Sequence, residues 1–399
     1  MGVLLVSTFM IVGTRLMWWG LLPLYLRSLG ATDLQVGLTY TVMLLVQGPA
    51  HILGGMISDR WGRRYSITLP SVAFVAILLI GVSARVWLWM AVTVWLIGIV
   101  SGTQQPGLQA LVAESSEDTA RGWTFGGFYS IVALAQMVGP AVGASLLPVF
   151  GIRGLIWANI GFAVVAAVIR LIFLKEGPYA RITTEIEPIL IRDLARNPAI
   201  WQLILVNSLF LLIQSLTLQG PFVTLHAADT LALSESQINL LLAAGGIGAT
   251  VASIWGGRLA DRIGSRKTGA FALTGHGILL MVWALIWPVT LASFGLFTLS
   301  WILAQVGRVA YTAWFSAYAP VKVRGRILGA VGATATLISA LGPQGGTYLR
   351  LQAQNFLGQE SGIGGRFASG TPFVLTLLLA LAFSVVIMRM PARSSALES

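Results

Sequence analysis

Residues 54–64 read GGMISDRWGRR, and residues 256–267 read GGRLADRIGSRK. Each is a polar turn opened by glycines and set between long apolar runs. Asp59 and Asp261 lie 202 positions apart in a chain of 399 residues. Two further markers keep the same spacing: Arg121-Gly122 with Arg324-Gly325, and Gly139-Pro140 with Gly342-Pro343, both offset by 203. Independent markers in register make the chain two copies of one unit.

The solvent of that unit follows from composition. Hydrophobic residues make up 56% of the chain and charged residues 10%, against about 25% charged in soluble domains. Mean hydropathy is +0.83. So little polar surface cannot cover a chain of this length in water, so lipid is the main solvent. Backbone groups in hydrocarbon must be satisfied internally, which leaves helices or closed barrels. The apolar runs last about 20 residues without period-two alternation, which selects helices. The net charge of +11 and a pI near 10.7 do not point to nucleic acid, because the basic residues sit in short loops between apolar runs. With no cysteine, disulfides and thiolate chemistry are excluded. No HExxH, GxSxG or GxxxxGK[ST] pattern occurs, so hydrolase and ATP-driven readings lack their chemistry. The longest hydrophilic stretch, Lys175–Pro198, is too short for a folded sensor domain. The chain is not read as an enzyme and no cofactor or metal is expected. The N-terminus, MGVLLVSTFMIVGTRLMWW, lacks a basic leader and a cleavage site and reads as a first span.

Twelve spans can be placed, at roughly 3–26, 35–57, 66–84, 86–112, 124–149, 153–174, 200–226, 237–257, 268–288, 292–315, 327–349 and 371–389. The expected fold is all-α and integral to the membrane: two parallel six-helix repeats related by a pseudo-two-fold along the membrane normal, since six spans return the chain to its starting side. The expected division is an N-terminal six-helix bundle at 1–175, a cytoplasmic linker at 176–199, a C-terminal bundle at 200–390 and a cytoplasmic tail at 391–399. The loop GQESGIGGRFASGTP before the last span reads as mobile. Of 25 basic residues, 18 fall on one side, Arg170 among them, and five on the other, including Arg153 and Arg350. That bias places both termini in the cytoplasm, with the protein multi-pass in the cell (inner or plasma) membrane.

The duplicated turn resembles the major facilitator superfamily, whose loop between spans two and three has the form G-x-x-x-D-R-x-G-R-R/K. The second copy is weaker, with Ser265 where the first has Arg63. AQMVGPAVGA resembles the span-five motif G-x-x-x-G-P-x-x-G of the family's antiporters, with Ala135 in place of the first glycine. The basic residue those antiporters carry early in span four is absent from VWLIGIVSGTQQPG. The resemblance implies a secondary active transporter moving a small amphipathic molecule by alternating access, drug-exporter-like and coupled to protons. It also implies a monomer, with the solute and the bilayer as partners.

Three groups of residues carry that expectation. The first is a cytoplasmic gate: Gly55, Asp59, Arg60, Gly62, Arg63, Arg64, Glu114, Arg121, Asp261 and Arg262. Glycines at 54, 55 and 62 permit close approach and a tight turn. Asp59 suits the positive N-terminus of a neighbouring helix, which by resemblance is span eleven near Gly325. Arg63 and Arg64 face the acidic end of span four at Glu114, Glu117 and Asp118. The plainer reading is a basic loop that only sets orientation. The second group is Gly139, Pro140 and Gly143, a bend with close packing, which is either a gate or a packing kink.

The third group is polar residues at membrane depth, which are costly and point to function. By resemblance spans one, four, seven and ten line the cavity. They carry Arg15, Trp18, Gln104, Gln105, Asn207, Gln214, Gln305, Arg308 and Tyr311. No Asp or Glu falls at mid-membrane depth in any drawn span, so cationic Arg15 and Arg308 leave open an organic-anion or phosphate-ester carrier. The plainer reading makes these arginines structural. Of the histidines, His51, His226 and His276 are ordinary packed residues by default, and His51 or His276 could carry a coupling proton.

Overall fold

A computed structural model describes residues 2–114, 121–176, 198–285, 290–318, 324–357 and 363–390. Most of the linker, the tail, Glu117 and Asp118 lie outside the described residues, and so does the side chain of Arg121. The helices are α1 (Gly2–Trp19), α2 (Leu22–Ser28), α3 (Asp33–Trp61), α4 (Arg63–Val82), α5 (Trp87–Glu114), α6 (Arg121–Phe173) and α7 (Pro198–Leu216). They continue as α8 (Phe222–Asp229), α9 (Glu235–Ile263), α10 (Ser265–Leu285), α11 (Thr290–Tyr318), α12 (Arg324–Ser339), α13 (Leu341–Leu357) and α14 (Ile363–Arg389). No strand occurs among the described residues.

These helices account for all twelve expected spans. Spans one and seven are each broken in two, as α1 with α2 and α7 with α8. Proline marks both breaks, Pro23 in the first turn of α2 and Pro221 at the N-cap of α8, where a missing N–H costs nothing. Spans five and six run together as α6 through a break at Gly151, whose φ of 61° and ψ of 177° interrupt the helix. Span eleven is α12 and α13. Eight described helices are long and apolar enough to cross a bilayer, or up to nine with a bent pair in α9 counted as one.

Two boundaries differ from the sequence reading. The Gly/Ser-rich stretch expected as a loop is helical from Ile363 onward. Ser369 accounts for part of the difference, since its hydroxyl meets His226 Nδ1 at 3.1 Å and Thr230 Oγ1 at 2.7 Å. Span eleven, expected to stop at 349, continues to Leu357. Arg350 is therefore buried in a helix, at 2% exposure, where a loop position was expected. Its Nη2 pairs with Asp229 Oδ2 at 2.6 Å.

Two compact units result, Met1–Ile186 with Leu233–Ala243, and Glu187–Ala232 with Ala244–Ser399. In the first, α1 lies along α6, and α5 packs on α3 and α4. A core of Leu4, Ile67, Leu108, Leu111, Val112, Phe128 and Leu174 joins α1, α4, α5 and α6. In the second, α10 packs on α11 and α14, while α7 meets α12 and α14. Its core gathers Phe210, Leu273, Tyr311, Trp314, Val331 and Phe383.

Inside the first unit sits a buried cation. Arg170 is 1% exposed and lies within the span drawn at 153–174, although it is counted with the basic residues of one side. Its guanidinium donates to Ser7 Oγ at 2.9 Å, Ser71 Oγ at 2.8 Å and Thr8 Oγ1 at 3.0 Å. Gln104 donates to the same Ser71 hydroxyl at 2.9 Å. One hydroxyl thus ties α4 to both α5 and α6. Ser7 and Ser71 also donate to carbonyls of their own helices, so neither needs Arg170 to stay satisfied. Arg170→Ala is therefore expected to lose about 2 kcal/mol or more through the cavity it opens. Arg170→Met, which fills the space and removes a buried charge, should stay within about 1 kcal/mol of wild type. Thermal unfolding of the two purified variants checks the ordering.

Candidate functional site

The polar turn at 54–64 is built by one glycine conformation and one arginine. Gly62 has φ of +96°, a region that penalises any side chain, and there α3 ends and α4 begins. Arg63, the first residue of α4, turns back across the break. Its Nη1 donates to Ser58 Oγ at 2.8 Å and pairs with Asp59 Oδ1 at 2.7 Å. Its Nε reaches Glu114 Oε1 at 3.0 Å, at the end of α5. A single guanidinium therefore fastens three helix ends. Arg63 and Glu114 side chains are 16% and 12% exposed, so their attraction is less screened than that of a surface pair. Asp59 is 74% exposed, and Arg60 is exposed beside it.

Arg64 takes a different partner from Arg63. Its side chain donates to Leu171 O at 2.6 Å, and its backbone N–H to the Glu176 carboxylate at 3.1 Å. Glu176 thus caps the N-terminus of α4, where a carboxylate is favoured. Nothing in the sequence joins positions 112 residues apart, and Glu176 was not anticipated. Of the paired glycines, Gly54 is the tight one: a Cβ there would overlap the backbone of Thr103 on α5, while Gly55 faces open space.

The second copy keeps the turn and loses the clasp. Gly264 has φ of +91°, as Gly62 does. Asp261 and Arg262 are exposed. At the positions of Arg63 and Glu114 the second half carries Ser265 and Ala317, which cannot form the pair.

The Gly-Pro segment is a packing surface in each half. A Cβ on Gly139 would overlap Gly13 O, and one on Gly143 would overlap Met17, so α6 rides on the α1 backbone beside Pro140, inside the helix. Gly342 and Gly346 instead pack on side chains, those of Ser215 and Phe222. Only small residues allow helices so close.

The polar residues on α1, α5, α7 and α11 separate into two kinds. Several are committed within their own bundle. Trp18 is fully buried and donates to Asn159 Oδ1 at 3.2 Å, while Asn159 Nδ2 donates to Thr14 Oγ1 at 2.7 Å. Gln104 is bonded to Ile67 O and Ser71 at 2.9 Å each. Tyr311 donates to Asn207 Oδ1 at 2.6 Å, and Gln305 to Ser253 Oγ at 2.9 Å. Arg308 reaches Gln214 Oε1 at 3.4 Å, a weaker contact. Gln105 is half-buried on α5. Arg15 is half-buried, its guanidinium 5.5 Å above the Trp19 ring. Asn159 and Arg170 were missed, though a polar residue inside an apolar run was the available signal.

His276 is buried, with Nδ1 3.0 Å from Ser300 O. His226 is buried against Trp283 and Phe373, with Ser369 on Nδ1. His51 is half-buried on α3. No group of three or more His, Cys, Asp or Glu that could hold a metal exists among the described residues.

Comparison with known proteins agrees with this architecture. The model of the Major Facilitator Superfamily matches residues 4–220 and 207–399. Multidrug resistance protein MdtG of Serratia proteamaculans (strain 568) is 25% identical over 285 residues, 66% of this chain and 66% of that protein. The multi-drug resistance efflux pump PmrA homolog of Lactococcus lactis subsp. lactis (strain IL1403) is 25% identical over 257 residues, 62% of each chain. The chain thus spans just under two thirds of the length of these relatives. Among solved structures, an inward-facing bacterial homolog of the human lysosomal transporter Spinster superposes with a TM-score of 0.76 at 15% identity, covering 97% of this chain and 96% of that one. That likeness is one of fold.

The clasp at the polar turn has a thermodynamic signature. Arg63→Met and Glu114→Gln, alone and together, should show a coupling energy of about 1 kcal/mol or more in a double-mutant cycle of unfolding. The matching pair of changes at Ser265 and Ala317 has no ion pair to lose and should show none.

Proposed function

The chain belongs to the major facilitator superfamily, and from that premise we propose that it exports small amphipathic molecules by alternating access, in exchange for protons. One observation carries the transport cycle: the clasp of Arg63 on Ser58, Asp59 and Glu114, present in the first copy of the turn and missing from the second. An ion-paired junction of three helix ends with an exposed carboxylate has two arrangements open to it. Asp59 pairs with Arg63 in one and with the N-terminus of a neighbouring helix in the other. Lys or Arg at a helix end without acidic partners would set orientation alone; the buried Glu114 contact supports a mechanical role.

The amphipathic substrate class follows from the multidrug resistance named for the relatives, together with the apolar walls of both bundles. Export is the direction those names carry. Gln105, Gln214 and Arg308 line the solute path in this reading, with the six-span bundles 1–175 and 200–390 as the moving bodies. The protein acts as a monomer in the cell membrane, with both termini and the 176–199 segment in the cytoplasm, on the side where arginine and lysine concentrate. Gly139, Pro140 and Gly143 keep α6 packed on α1 within the first bundle while the bundles rearrange.

Purified protein in liposomes tests the reading. An imposed pH gradient should drive accumulation of an amphipathic dye, with protons moving in the opposite direction. Accumulation indifferent to the gradient would remove the exchange from the mechanism. Asp59→Asn should reduce turnover about tenfold or more at unchanged expression and dye affinity, because it acts on the conformational step. Normal turnover in that variant would leave the turn with a topological role only.

A further inference from the structure

Among the described residues, the buried and half-buried arginines differ in one respect. Arg63, Arg64, Arg170, Arg308 and Arg350 each donate to a named carboxylate, carbonyl, hydroxyl or amide oxygen. Arg15 makes no hydrogen bond or ion pair among the described residues. Its Nε is buried without a partner. What holds the side chain is an aromatic face, the Trp19 ring 5.5 Å from the guanidinium carbon.

The absence of a partner is built into the surrounding sequence. Neither α1 nor α6, its principal neighbour, contains an Asp or Glu. A guanidinium in a membrane-spanning bundle costs several kcal/mol when nothing compensates its charge. Arg170, two turns earlier along the same interface, shows how this bundle neutralises a structural cation: three hydroxyls turned onto it. No such set is provided for Arg15.

The position is also held rigid. Asn159 fixes the Trp18 indole through a 3.2 Å hydrogen bond, and Trp18 meets Trp19 edge to face at 5.6 Å between centroids. Trp19 in turn carries Arg15. This chain of contacts sets the guanidinium before any ligand arrives, which lowers the entropic cost of binding. Trp19 ends α1, at the break before α2.

We propose that Arg15 and Trp19 form an anion subsite that selects amphipathic organic anions, taking a planar carboxylate on the guanidinium and an aromatic or apolar body beside the indole. With Nε buried, the two terminal Nη groups present the end-on fork that a carboxylate accepts with both oxygens. The anion supplies the counter-charge that α1 and α6 lack. Arg308, already in contact with Gln214, is not required. The inference rests on the export reading for its place in transport, whereas binding stands apart from it.

The experiment uses the full chain in nanodiscs with two probes of one shape, naphthylacetate and its neutral amide. The acid should bind about tenfold or more tightly than the amide in wild type. In Arg15→Gln the two should bind alike. Arg15→Lys keeps the charge and loses the fork, and should weaken the acid several-fold. Trp19→Leu should weaken both probes together, because it removes apolar contact. Equal binding of acid and amide in wild type overturns the subsite, and that comparison needs no variant to fold. An acid preference that persists in Arg15→Gln, or acid affinity unchanged in Arg15→Lys, overturns it as well. Proton-driven dye flux without any acid preference sinks this inference and leaves the exporter standing. Acid preference without proton-driven flux does the reverse.

Discussion

A guanidinium among membrane-spanning helices must be given a partner, and the partner it receives decides what it does. Hydrocarbon offers no hydrogen bonds, so each buried N–H needs an acceptor from the protein, from water or from a ligand. Arg63 receives two carboxylates and becomes a junction of helix ends. Arg170 receives three hydroxyls and becomes part of the frame. Arg350 receives Asp229 and ties α13 to α8. Arg15 receives an indole face alone. The same residue type thus meets carboxylates, hydroxyls or an indole face within one chain.

Close packing supplies the second half of the mechanics. Gly139 and Gly143 bring α6 onto the α1 backbone, while Gly342 and Gly346 meet side chains of α7 and α8. Without a hydrophobic driving force between helices in lipid, such contacts rely on dispersion between surfaces that fit. A glycine surface also lacks the interlocking side chains that would fix one register. The duplication therefore preserves closely packed glycines in both halves, while the ionic clasp survives in one. That asymmetry gives the first polar turn a role that the second cannot share.

Long apolar runs, their punctuation by charged turns and three markers in register were enough to identify a duplicated, all-helical membrane protein, and a family model now covers both halves. Lipid explains why so much was legible. It forces each span to satisfy its own backbone, so span number and type depend on local composition alone. The boundaries that were misread are those where a polar residue found a partner elsewhere. Ser369 continues a helix through an expected loop because His226 and Thr230 lie against it, and Arg350 extends span eleven because Asp229 waits for it.

The sequence by itself determined which residues are expensive in a membrane: the arginines, glutamines and asparagines inside apolar runs, and the acidic and basic residues of one duplicated turn. Only the tertiary structure decided which of these are already satisfied. Trp18 and Gln104 look alike as cavity residues in sequence, yet Asn159 and Ser71 hold them inside the bundle. Glu176 caps α4 from 112 positions away, a pairing no local pattern encodes. The physical reason is that the cost of burying a polar group is local, while its compensation comes from whichever helix the fold brings alongside.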